Sequence, residues 1–119
     1  MMQSSQPAMM LRIYTDEMAL SGDHPLHEVV LGEARAAGLA GGTVFKALDG
    51  FGRSAHHNTH HGHDLASDVP LVIEIVDAEE NIRRFLPLLE RLTEVGLITL
   101  TPLYVVRFGA PPAPREGAR

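Results

Sequence analysis

The sequence predicts an α+β sandwich in which a four-stranded antiparallel sheet carries two helices on one face. Three observations point there. Four short stretches have the pattern of strands and two have apolar residues at helical spacing. Their order is strand–helix–strand–strand–helix–strand, the split βαβ pair of a ferredoxin-like fold. The two middle strands are joined by a connection of about twenty residues, far longer than an antiparallel turn needs.

Each element has its own reason. Met10–Thr15 alternates, with Leu11 and Ile13 on one side and Arg12 and Tyr14 on the other. Pro25–Ala37 places Leu26, Val29, Val30, Ala34 and Ala37 at helical spacing, with Asp23 or His24 available as a cap and Gly38 as the stop. Thr43–Leu48 is the second strand, entered through Gly41 and Gly42. Leu71–Val76 (LVIEIV) is almost wholly apolar, as expected of a central strand covered by helices. Asp77–Glu80 (DAEE) resembles a capping box, and Ile82, Phe85, Leu86, Leu89 and Leu92 follow on one helical face. Pro87 should bend that helix and Gly96 should end it. Ile98–Phe108 is the last strand, and its Pro102, which cannot donate a ladder hydrogen bond, points to an edge or a bulge.

The first and third strands should therefore be central and the second and fourth peripheral. One sheet face is left uncovered in a single chain. Tyr14, Phe45, Ile73 and Ile75 make the sheet too apolar for both faces to be wet, so self-association is expected to cover it.

Composition bounds the function. The 119 residues fit a single domain, expected over residues 9–108 with flexible tails at 1–8 and 109–119. The formal charge is −5 and no run of Lys or Arg occurs, which argues against nucleic acid as a partner. Cysteine is absent, so disulfides, thiolate metal sites and cysteine nucleophiles are excluded. No apolar run approaches the roughly 18 residues of a membrane span. Met1–Ala8 lacks the basic start and apolar centre of a signal peptide, and a cytoplasmic location is the expectation.

The long connection, residues 49–69, opens with Gly50-Phe51-Gly52-Arg53-Ser54. Glycine allows close backbone approach, and backbone N–H groups with a guanidinium fork suit phosphate or carboxylate oxygens. Val44–Asp77, with GFGR leaving one strand and an apolar IEIV strand receiving the chain, resembles the PII signal-transduction proteins around their long effector loop. PLHEVVLGEARAAGLAGGTVFKALDGFGR, together with the matching length, resembles the domain-of-unknown-function family number 190, which has a PII-like fold. That similarity covers Leu11 to Phe108.

The resemblance implies a homotrimer with ligand clefts between subunits, and an adenine nucleotide or other small anionic ligand near Gly50, Phe51, Gly52, Arg53 and Ser54. It implies a partner engaged by the loop, in PII proteins a membrane transporter or channel. There are departures. Ser54 stands where PII proteins carry a glutamine used for 2-oxoglutarate, and Val72 where they carry a lysine. The glycine-rich phosphate loop before the last strand is missing, since Glu94–Leu100 reads EVGLITL, and the loop has no tyrosine to modify.

His56, His57, His60, His61 and His63 form a second signal, with Asp64 beside them. Clustered neutral imidazoles suit Zn, Ni or Cu, so a transition-metal-binding protein is the alternative reading; protonation of the cluster below neutrality is a third. Asp16, Glu17 and Asp23 form an acidic group whose expected role is solvation and helix-start electrostatics. Glu74 interrupts the apolar strand and requires a partner, here expected to be structural. No hydrolase, kinase or dinucleotide motif is present, so no enzymatic activity is expected.

Overall fold

The computed structural model describes residues 5–52, 69–92 and 95–109. Its elements are β1 (Gln6–Asp16), β2 (Leu20–Ser21), β3 (His24–Pro25), α1 (Leu26–Ala36), β4 (Gly41–Lys46), β5 (Pro70–Asp77), α2 (Glu79–Glu90) and β6 (Ile98–Val105). The main sheet has the order β4-β5-β1-β6 and is antiparallel throughout. The apolar β5 is central and the proline-bearing β6 is an edge, as their composition requires.

Alternation sorts each strand between two faces. Leu11 and Ile13 of β1 and Ile73 and Ile75 of β5 are fully buried beneath the helices. Leu26 and Val30 of α1 and Ile82, Phe85 and Leu89 of α2 close the same core. At roughly 25 cal/mol per Å² of apolar surface, this layer is the main source of stability. Ile73 and Ile75 therefore do not contribute to the open face, contrary to expectation. That face carries Tyr14 and Phe45 instead, with Val72 half-buried between them and Val76 further along β5.

Element boundaries moved where pairing decides them. β1 starts at Gln6 rather than Met10, because Gln6, Pro7 and Ala8 pair with Val105, Tyr104 and Leu103. The described pairing ends at Gln6 and Val105, and β6 stops at Val105 rather than Phe108. β4 lies two residues earlier than Thr43–Leu48, so Leu48 is outside the ladder and fully exposed.

Neither Asp23 nor His24 caps α1. Residues 20–25 form the small β2–β3 hairpin around Gly22, so Pro25 takes the cap position with no side-chain bond. The helix ends as expected at Gly38, whose φ of 80° belongs to the left-handed region. There the Gly38 N–H donates to the Arg35 carbonyl and the Leu39 N–H to Ala34, a Schellman closure.

Ala78, not Asp77, is the cap residue of α2. Asp77 sits one residue earlier and joins three pieces of chain. Its Oδ1 accepts from the Ala78 N–H (2.6 Å) and from Asn81 Nδ2 (2.8 Å), and its Oδ2 accepts from the Ala40 N–H (2.7 Å). Pro87 is exposed within the helix and cannot supply the N–H that the Arg83 carbonyl would otherwise accept.

Gly96 does not end α2, which stops at Glu90. A Cβ at Gly96 would strike the Tyr14 carbonyl oxygen, and the neighbouring Leu97 carbonyl accepts from the Tyr14 N–H (2.9 Å). The glycine lets the return from α2 lie directly on β1. Gly96→Ala should cost about 1–3 kcal/mol, because backbone rather than a flexible side chain must move. Urea denaturation of the variant checks this.

Candidate functional site

The open sheet face carries a row of polar and charged side chains. Across its four strands Thr43, Glu74, Arg12 and Thr99 stand side by side, as the pairing registers require. Arg12 Nε and Nη2 both donate to Glu74 Oε2, at 2.9 and 2.7 Å. The carboxylate bond first, and then the neighbouring Tyr14, hold the Arg12 guanidinium above its ordinary pKa, so it is charged at every accessible pH. Glu74 thus has the structural pairing expected of it. Both contacts fall on one oxygen, and Oε1 takes no part in the pair.

Beside this row lies a recess of about 260 Å³ lined by residues 40–43, Glu74, Val76, Val105, Arg107 and Phe108. Val76, Val105 and Phe108 supply apolar walls, Glu74 an acceptor, Thr43 a hydroxyl and Arg107 a cation. Sequence reading missed this recess. Its residues come from three separated strands and the chain after β6, and only the fold brings them together. Glu74 was the one visible signal, as a charge inside an apolar strand.

The expected ligand segment lies at the other end of β5. A Cβ added at Gly50 would come to van der Waals distance from the Pro70 ring, and the Gly50 N–H donates to Asp49 Oδ1 (2.8 Å). Pro70 is four residues from Glu74, roughly 13 Å along the strand. Neither Gly50 nor Gly52 has a positive φ, so their glycines are not required here by left-handed backbone. Phe51 is fully exposed, as is Leu48 just before it.

Nearby, Lys46 Nζ meets Glu17 Oε2 at 3.0 Å and the Ala47 N–H donates to the Pro70 carbonyl, fixing the two ends of the long connection. Glu17 is therefore ion-paired, where solvation and helix-start electrostatics were expected. Asp16 is buried and its Oδ1 accepts from the Met18 N–H (2.8 Å), while Asp23 sits at the exposed tip of the β2–β3 hairpin. Arg53, Ser54 and the histidines 56, 57, 60, 61 and 63 lie outside the described residues. Among the described residues no group of three or more His, Cys, Asp or Glu is placed to hold a metal ion. Also among them, no helix is long and apolar enough to cross a membrane.

Residues 8–105 match the DUF190 family, described as "Uncharacterized ACR". The chain belongs to the DUF190 family. A UPF0166 protein of Aquifex aeolicus is 38% identical to it over 97 residues, covering 82% of this chain and 91% of the relative. A UPF0166 protein of Methanocaldococcus jannaschii is 32% identical over 103 residues, covering 84% and 93%. Among solved structures, CPII of Thiomonas intermedia K12 bound to ADP and bicarbonate superposes with a TM-score of 0.60 at 24% identity, over 87% of this chain and 93% of CPII. Its apo form, a nitrogen regulatory PII-like protein, gives 0.61 at 19% identity, over 87% and 97%. At that identity the likeness establishes the fold, and this DUF190 chain has the PII-like fold.

Proposed function

We propose that this protein is a non-catalytic regulatory module that binds a small anionic ligand, by preference an adenine nucleotide, on its open sheet face. It assembles as a homotrimer that covers this face, making the recess and the Gly50–Ser54 segment parts of intersubunit clefts. Ligand occupancy favours one conformation of the 49–69 loop, and the loop engages a partner, for which a membrane transporter or channel is the class suggested by PII proteins.

The recess carries the reading. It sets an acceptor, a hydroxyl and a cation among apolar walls, on a face that leaves Tyr14 and Phe45 partly exposed in one chain. A nucleotide has the matching parts: a flat, weakly polar base with N–H donors, and an anionic end. The similar CPII fold has been solved with ADP and with AMP. Regulation is favoured over catalysis because the described lining has no His, Cys or Lys, and its carboxylate is already engaged by Arg12.

Calorimetry tests this. ADP should bind the full-length protein saturably, and Arg53→Ala should weaken it roughly ten- to a hundredfold, the worth of a charge-assisted hydrogen bond. Absence of any heat with ADP, AMP and ATP at millimolar concentration would refute the nucleotide reading.

A further inference from the structure

The helical layer also carries an opening, away from the open sheet face. Between the last turn of α1 and the first turns of α2 runs a groove of about 380 Å³. α1 and the chain just after it supply Ala36, Ala37 and Leu39, and α2 supplies Phe85 and Leu88. The space exists because alanine and glycine at 36–38 are too small to fill the gap to α2. Two charges stand at it, Glu33 on α1 and Arg84 on α2, and Arg84 Nη1 donates to Asn81 Oδ1 (3.1 Å). The described chain ends close by. Phe108 shares the lining of the sheet recess with Ala40, which is two Cα steps, roughly 8 Å of chain at most, from Gly38 at the mouth of the groove. Gly109 then turns the chain, with a φ of 93°.

We propose that this groove is the docking site of the chain's own proline-rich continuation, residues 110–116 (APPAPRE), which lie outside the described residues. Reach, backbone chemistry and charge all favour that occupant. Proline-rich chain takes the extended polyproline form, rising about 3.1 Å per residue, so residues 110–112 cover roughly 9 Å and bring the chain from Gly109 to the groove mouth. Pro111, Pro112 and Pro114 have no N–H, so they ask the groove for no acceptor. Their carbonyls need donors, and the Arg84 guanidinium carries five N–H groups beside the apolar walls. A segment already extended loses little entropy on entering such a groove. Arg115 directly follows the last of these prolines and falls at the inner end, where Glu33 stands one helical turn from Ala36 and Ala37 and offers the opposite charge. Docking straps the chain after β6 to the helical layer.

The chain has no cysteine, so Ala113→Cys accepts a single nitroxide label, and paramagnetic broadening of leucine methyl signals is measured on the full-length protein. Leu39 and Leu88 should broaden several-fold more than Leu20, which pairs with Pro25 at the opposite end of α1, roughly 16 Å away. Ala36→Arg fills the groove and should remove that excess. Arg115→Glu should lower it by up to about fivefold, the upper range for an exposed ion pair, and adding Glu33→Arg should restore it. Equal broadening at the three leucines, or an excess that survives Ala36→Arg, overturns the inference. Mixing spin-labelled chains with methyl-labelled ones decides which copy supplies the segment, and an excess seen only between copies overturns docking within one chain. Should Ala36→Arg fail to fold, the Arg115→Glu and Glu33→Arg proteins carry the comparison, and an excess that neither changes overturns the inference equally. None of these readouts involves a nucleotide, so the inference stands or falls apart from the proposed function.

Discussion

Asp77→Ala is expected to destabilise the fold strongly. Asp77 is 7% exposed and its two oxygens satisfy the Ala78 and Ala40 N–H groups and the Asn81 side chain. Alanine removes every one of those acceptors and leaves two backbone donors without replacement in a part-buried junction. At about 1–3 kcal/mol for each orphaned group, the loss is roughly 2–5 kcal/mol. For a domain of this size that lowers the Tm by roughly 10 °C or more. Asp77→Asn, which keeps one acceptor oxygen, should fall between the two. Thermal unfolding followed by circular dichroism measures the series, and a Tm within about 2 °C of wild type for Asp77→Ala would contradict the role given to this residue.

Phe45→Asp should do the opposite, sparing the fold and abolishing assembly. Phe45 is 47% exposed on the open face of one chain, so a carboxylate there meets water and the core beneath is untouched. In the proposed homotrimer the same position is covered, and an unpaired charge buried at an interface costs several kcal/mol, enough to separate the subunits. Light scattering should give about 39 kDa for the wild type, three times 12.9 kDa, and 12.9 kDa for the variant. The circular dichroism spectrum should be unchanged. A wild-type mass of one chain would remove the intersubunit cleft from the account.

The two predictions separate what the sequence made legible from what it did not. Strand order and helix faces could be read because period and spacing are local: Leu11 and Ile13, or Ile82, Phe85 and Leu89, declare their faces within a few residues. Pro102 pointed to an edge or a bulge because it cannot donate to the ladder, and the strand order places it on an edge. Ends were harder, since they are set by partners far away in sequence. Gln6 becomes strand because Val105 lies across from it, and Asp77 serves Ala40 rather than only its own helix. Gly96 was misread as a helix stop because its reason, the Tyr14 carbonyl, is eighty-two residues away (96 − 14).

The same distinction governs the site. GFGR and the histidine cluster are contiguous and announce themselves, whereas Thr43, Glu74, Val76, Val105 and Arg107 are scattered and meet only across the sheet. Glu74 alone stood out, and even so its partner Arg12 could be named only once the β1–β5 register was known. Ile73 and Ile75 were assigned to the wrong face for a related reason. An almost continuous apolar run such as LVIEIV hides the alternation that would have sorted them.

A crystal structure of the full-length protein grown with ADP should show three chains about a threefold axis, with Tyr14 and Phe45 buried between them and the base lying against Glu74 and Val76. An isolated chain with that face in solvent, or ADP bound away from it, would contradict a nucleotide-binding trimer.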